Sequence, residues 1–230
     1  MTRPRVRYLA PNGVTVANIA CGFTAIVVAS DGRFETAVYL LVVAIILDTL
    51  DGNIARWLQA TSEFGQEMDS FSDALSFGAA PAFLLYQAEL RFLGPEGLIL
   101  ALVYLVCAVL RLSRFNLTSD AHFKDRSTVG VPVPVAASYL MGAVLIRDQI
   151  AGGAAAAVVL IMAALMVSNI ALPNLKGRTV VTAMLMVGIL NYLAVIIRPC
   201  WATIIWWNLW NATILMVARF QNRRQDPSIS

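Results

Sequence analysis

The chain has 230 residues, 59% of them hydrophobic and only 13% charged, with a net charge of +3 and a mean hydropathy of +0.71. A soluble globular domain carries about 25% charged residues, so a soluble enzyme, a nucleic-acid-binding domain and a disordered chain are excluded. The stretches 8–30, 127–146, 149–175, 179–197 and 199–218 hold no Asp, Glu, Lys or Arg. Each approaches or exceeds the roughly 20 apolar residues that cross a bilayer as a helix, and their continuous apolarity excludes the period-two strands of a membrane barrel.

In chain order, Arg3, Arg5 and Arg7 precede the first span, 8–30. This resembles a signal peptide only superficially: Pro11, Asn12 and Gly13 interrupt the run and no convincing A-x-A-like cleavage site follows, so the segment is expected to be retained. Pro11-Asn12-Gly13-Val14-Thr15 reads as a helix start with Thr15 as a candidate cap. Three less pure spans follow, at about 35–57, 67–88 and 95–115. Beyond them come two spans around 130–147 and 151–171, separated by a short turn at Arg147, Asp148, Gly152 and Gly153, and the last two at 179–197 and 199–218. The expectation is an all-α polytopic integral membrane bundle of about eight helices with both termini cytoplasmic. The longest loop, Asn116 to Thr128, is too short for a soluble domain, so residues 1–230 are expected to form a single transmembrane domain and any chemistry to occur within the bundle.

Orientation follows from the 17 basic residues. With the N-terminus inside, Arg3, Arg5, Arg7, Arg56, Arg111, Arg114, Lys124, Arg126, Lys176, Arg178, Arg219, Arg223 and Arg224 are cytoplasmic, and only Arg33, Arg91, Arg147 and Arg198 are outside. Positive residues favour the cytoplasmic side. Cys21, Cys107 and Cys200 lack CxxC spacing and read as packing residues. His122, Lys124 and Arg126 read as solvated loop residues.

The informative residues are acids inside spans: Asp48 and Asp51 near the cytoplasmic end of the second, Asp69 and Asp73 near the start of the third. Asp48 precedes Arg56 by eight residues and therefore lies about 12 Å deeper. An isolated charge at membrane depth costs at least about 2.5 kcal/mol, and four acids without matching bases repel one another, so a bound cation is the simplest compensation. The i,i+3 and i,i+4 spacings put each pair on one helix face, and a short turn brings the faces together. Oxygen-only ligands suit Mg²⁺ or Mn²⁺ rather than zinc, and two such ions form the clamp used in phosphoryl transfer. Gly52, Ala55 and Gly65 share these faces and leave room beside the carboxylates; close helix packing is the commoner use of such residues. Arg56 at the membrane edge could meet a phosphate oxygen or serve as a positive-inside anchor.

The string Asp48-x2-Asp51-Gly52-x2-Ala55-Arg56-x8-Gly65-x3-Asp69-x3-Asp73 resembles the signature of the CDP-alcohol phosphotransferase family in every defining position and gap. Leu9 to Gly22, Asp69 to Ala82 and Arg111-Leu-Ser-Arg114-Phe-Asn116 further resemble the bacterial and archaeal phosphatidylserine synthases of that family. The likeness is strong over roughly the first 116 residues; after them Gly130-Val131-Pro132 resembles a Gly-Leu-Pro of that subfamily. The resemblance implies an integral-membrane enzyme of the cell membrane, its active site facing the cytoplasm, its signature at 48–73, its first six helices catalytic and its last two accessory. It implies metal ligation by Asp48, Asp51, Asp69 and Asp73, with Asp73 also the general base. It further implies CDP-diacylglycerol binding by Asn12, Thr15, Gly52, Ala55, Arg56, Ser62 and Gly65. The implied cofactors are two divalent cations, Mg²⁺ or Mn²⁺. The implied substrates are CDP-diacylglycerol and L-serine, in a homodimer with no nucleic acid partner.

Arg111 and Arg114, i and i+3, could bind the serine carboxylate or the diphosphate, or act as snorkelling anchors. Physical chemistry alone does not choose serine over glycerol phosphate, inositol phosphate or choline; the resemblance does. A cation transporter ranks lower, because transporter sites sit near the midplane between inverted repeats whereas these acids cluster toward one face.

Overall fold

The computed structural model describes residues 4–60, 62–119, 130–149 and 153–169, together with scattered helical positions between 190 and 213. Among the described residues every regular element is helical: α1 (Pro4–Ser30), α2 (Phe34–Trp57), α3 (Glu63–Asp73), a π-helical segment (Ala74–Ala79), α4 (Ala80–Ala88), α5 (Pro95–Ser119), α6 (Val133–Leu145) and α7 (Ala154–Val167). Short 3₁₀ segments at Leu90–Leu93 and Arg147–Gln149 follow α4 and α6. Three described stretches are long and apolar enough to cross a membrane: Ala10–Ser30, Phe34–Trp57 and Pro95–Leu117. The expected spans at 179–197 and 199–218 lie, apart from scattered positions, outside the described residues, as do Arg3, His122, Lys124, Arg126, Lys176, Arg178, Arg198, Cys200, Arg219, Arg223 and Arg224.

Two local expectations change. Pro11 to Thr15 does not open the first helix but lies within α1, which starts at Pro4. Pro11 costs the helix one N–H donor, and Thr15 is an interior residue whose Oγ1 donates to the Pro11 carbonyl at 3.1 Å rather than a cap. The third span, expected as one helix over 67–88, begins at Glu63 and is interrupted by the π-helical segment. Its start is set by Ser62, whose Oγ accepts from the Gly65 N–H at 3.0 Å as an N-cap.

α1 and α2 pack along each other, α4 packs on α1, α5 and α6, and α7 lies against α5 and α6. Small residues allow the approach: Ala25, Ala29 and Ala37 are buried, and a Cβ on Gly22 would come within 2.9 Å of the Ser76 Cα. The core is fullest where Leu41, Leu84, Leu85, Tyr104 and Leu140 are buried to 1% exposure or less. At one end of the bundle the first turn of α2 meets the segment after α6: the Arg147 guanidinium lies 3.6 Å from Glu35 and stacks on Phe34. Gly130 has φ +78 and sits so close to the Met166 carbonyl that a side chain would collide; the adjacent Val131 N–H donates to the Leu165 carbonyl at 3.1 Å.

Candidate active site

The site lies at the opposite end from Arg147, where α2 turns into α3. α2 closes with a Schellman arrangement: the Ala60 N–H reaches the Ala55 carbonyl at 2.9 Å and the Gln59 N–H reaches Arg56 at 3.2 Å. Gln59 takes the left-handed conformation this requires, φ 51. The chain reverses within a few residues, so the start of α3 returns beside the end of α2.

That reversal brings three of the four predicted acids together. One carboxylate oxygen from each of Asp48, Asp51 and Asp69 lies within 4.8 Å of the others. Asp73 faces Asp48 carboxyl to carboxyl, and its Oδ1 is buried without a hydrogen-bond partner. Asp51 is 4% exposed and accepts from the Thr15 hydroxyl at 2.9 Å, which ties α1 to the acids. A set of hard oxygens with an unsatisfied buried carboxylate fits small divalent cations, since neither Cys nor His stands among the four.

Beside the acids a cleft of about 200 Å³ is lined by Asn12, Thr15, Asp51, Gly52, Ala55, Arg56, Ser62, Gly65 and Asp69, with Pro11, Ala60 and Gln66 completing the wall. Every residue expected to bind CDP-diacylglycerol therefore lines this cleft, drawn from α1, α2, α3 and the Ser62 N-cap. A Cβ on Gly52 would meet nothing within 4 Å, so this glycine leaves open space, whereas one on Gly65 would approach Ser62 Oγ at 3.2 Å and Asn12 Oδ1 at 3.5 Å. Arg56 is exposed at the rim, its Nη2 donating to Asn53 Oδ1 at 2.9 Å.

The two arginines of α5 part company. Arg111 is 8% exposed, its guanidinium within electrostatic reach of Asp73 and stacked on Phe115, and its Nε has no hydrogen-bond partner. Arg114 Nη1 instead donates to the Val167 carbonyl at 3.2 Å and to Asn169 Oδ1 at 3.4 Å, binding α5 to the end of α7.

Residues 8–170 match the family model of CDP-alcohol phosphatidyltransferase. The chain belongs to that family. All four acids of this family member, its cleft and Arg111 fall inside the matched stretch. A Mycobacterium leprae protein named CDP-diacylglycerol–serine O-phosphatidyltransferase is 39% identical over 161 residues, 66% of this chain and 53% of that protein. The chain thus spans about half the length of the mycobacterial relatives it matches. A Helicobacter pylori (strain 26695) protein of the same name is 35% identical over 178 residues, covering 74% of this chain and 73% of that protein. The archaetidylserine synthase of Methanothermobacter thermautotrophicus is 34% identical over 175 residues, covering 75% and 73%.

Residues outside the sequence expectation also meet here. Asn116 Nδ2 donates to Ser70 Oγ at 2.9 Å and joins α5 to α3, and Asn18, fully buried, receives the Ser76 hydroxyl on its carbonyl at 3.2 Å. Asn116 stood in a quoted motif without a role; its partner could not be read from spacing along one helix.

Proposed function

We propose that the chain is a phosphatidylserine synthase, transferring the phosphatidyl group of CDP-diacylglycerol to the hydroxyl of L-serine with release of CMP. The observation that carries this is the convergence of Asp48, Asp51 and Asp69 within 4.8 Å at the edge of the cleft, in a family member whose bacterial relatives bear that name. Asp48, Asp51, Asp69 and Asp73 would hold two divalent cations, Mg²⁺ or Mn²⁺. Bound there, the ions would neutralise the diphosphate oxygens as charge moves onto the departing CMP.

The remaining work falls to the chain's own side chains. Asn12, Thr15, Gly52, Ala55, Ser62 and Gly65 form the nucleotide wall, and Arg56 at the rim meets phosphate. Asp73 takes the proton of the serine hydroxyl, whose oxygen forms the new bond to the diacylglycerol-side phosphorus while the bond from that phosphorus to CMP breaks. Arg111, buried beside Asp73 with an unused donor, binds the serine carboxylate or the diphosphate. Arg114 anchors α5 to α7. The chain crosses the cell membrane about eight times with both termini and the cleft cytoplasmic, a reading supported by its basic residues and long apolar helices. The family resemblance supports a homodimer of single-domain chains, with the last two helices accessory.

The test is CMP release by the purified full chain with CDP-diacylglycerol and Mn²⁺ or Mg²⁺, comparing serine, glycerol 3-phosphate, inositol phosphate and choline. Release with serine alone is expected. Release with another acceptor replaces serine but keeps the chemistry, and no release under any condition returns the acids to a transport role.

A further inference from the structure

Thr15, Asn18 and Gly22 form one stripe along α1, at i, i+3 and i+7. Contacts at its two ends fix what stands beside its middle. Thr15 bonds Asp51, and α1 and α2 are consecutive helices running in opposite directions, so about one turn onward in α1 and one turn back in α2 bring Asn18 level with Asp48. A Cβ on Gly22 would come within 2.9 Å of the Ser76 Cα, and one on Gly65 within 3.5 Å of Asn12 Oδ1, nearer the start of both helices. α1 therefore runs parallel to α3 and the π-helical segment that continues it, and about one turn before Gly22 and Ser76 stand Asn18 and Ser72. Asp73 follows Ser72 and faces Asp48. One layer of the bundle thus holds Asn18, Asp48, Ser72 and Asp73.

That layer collects buried groups without partners. Apart from Trp210 Nε1, the buried side-chain atoms that lack a hydrogen bond among the described residues are Asn18 Oδ1 and Nδ2, Ser72 Oγ, Asp73 Oδ1 and the Nε of Arg111, whose guanidinium reaches Asp73. Asn18 and Ser72 are both 0% exposed. Polar residues in membrane helices commonly join one helix to another, but the Asn18 amide bonds no helix; its backbone carbonyl takes the Ser76 hydroxyl. An unpaired buried amide destabilises a fold, and an apolar side chain of like shape would serve stability better. The need lies with the neighbours. Asp51 has the Thr15 hydroxyl, whereas Asp48 and Asp73 turn to each other and Asp73 Oδ1 accepts nothing. Carboxylates that ligate a cation are themselves hydrogen-bonded from behind.

We propose that Asn18 is a positioning residue of the metal site: its buried amide, with Ser72 beside it, is the donor that holds the inward oxygens of Asp48 and Asp73 when the outward ones take a cation, as Thr15 does for Asp51. The inference rests on the four aspartates being metal ligands. Outer donors of this kind typically matter 10- to 100-fold in metal affinity.

The experiment is direct Mn²⁺ binding to the purified full chain, read by electron paramagnetic resonance of the free ion, with thermal unfolding of the metal-free chain measured in parallel. Asn18→Leu keeps the branched shape and removes the amide. It is expected to weaken Mn²⁺ binding on the order of 10-fold, while the unfolding temperature stays at or above the parental value, the opposite of what loss of a structural contact produces. The Mn²⁺ requirement of CMP release should rise by the same factor, with kcat at saturating metal close to that of the parent. Ser76→Ala removes the hydroxyl on the Asn18 carbonyl without touching the amide, and should leave Mn²⁺ affinity within about 2-fold. Unchanged Mn²⁺ affinity in Asn18→Leu overturns the inference. So does weaker binding accompanied by a lower unfolding temperature, or an equal loss of affinity in Ser76→Ala, since either marks a loosened contact between α1 and α3. If Asn18→Leu does not fold, Ser72→Ala decides by the same measures, with several-fold weaker binding expected. Absence of Mn²⁺ binding by the parent overturns the metal reading and the inference together.

Discussion

The two ends of α2 differ as much as two proteins would. Before Asp48 the helix is core: Ala37, Val38, Leu41, Val42, Ala44 and Ile45 are buried. After it Leu50 is 43% exposed and Trp57 81%, and Asp51 is the residue that stays buried. The α3–α4 rod repeats the division in reverse, open and acidic in α3, packed in α4. Asp51 and Asp69 thus stand on the open end of a helix whose other end is packed, with Asp48 and Asp73 at the boundary. Close packing supplies rigidity, and the free ends leave space for a ligand among carboxylates that could not pack against one another.

Substitutions at the two ends should therefore separate chemistry from stability. The largest effect is expected for Asp73→Asn, which should lower CMP release by about 10²–10⁴-fold, the range of a lost general base, while thermal unfolding in detergent stays at the parental temperature. Near-normal turnover would move the base elsewhere. At the packed end, Leu85→Ala should cost about 2–4 kcal/mol by leaving a cavity, with KM for both substrates unchanged in the folded fraction. An altered KM would show that the packed end is not independent of the site.

Thr15→Val removes the donor 2.9 Å from Asp51. A hydrogen bond to a charged group is worth about 1.5 kcal/mol, so metal or CDP-diacylglycerol affinity should fall roughly tenfold, as titration would show. Gly52→Ala sharpens the contrast most finely: the added methyl meets no protein atom and favours the helix, so stability should rise by up to about 1 kcal/mol. The same methyl projects into the cleft and should raise KM for CDP-diacylglycerol. A stability gain without a KM change would take Gly52 out of the nucleotide wall.

Much of the site could be read before any coordinates. The i,i+3 and i,i+4 spacings of the acids, the glycines beside them and the short turn between the two spans are properties of single helices, and one helix repeats every 3.6 residues whatever surrounds it. Three of the apolar spans, Ala10–Ser30, Phe34–Trp57 and Pro95–Leu117, were equally plain, because a bilayer demands length and apolarity alone. Arg111 and Arg114 were indistinguishable, since both lie at the same end of the same helix; only the placement of Asp73 and of Val167 separates them.

What the sequence by itself determined is the set of groups available: a helical membrane chain with four acids, small residues and arginines at family spacing. What the tertiary structure decided is which groups meet. Thr15 with Asp51, Asp73 with Asp48, Tyr104 with Phe77 and Arg114 with Val167 each join different elements. Periodicity sets the face a residue occupies on its own helix, whereas the rotation of one helix against the next is set by close packing of the whole bundle.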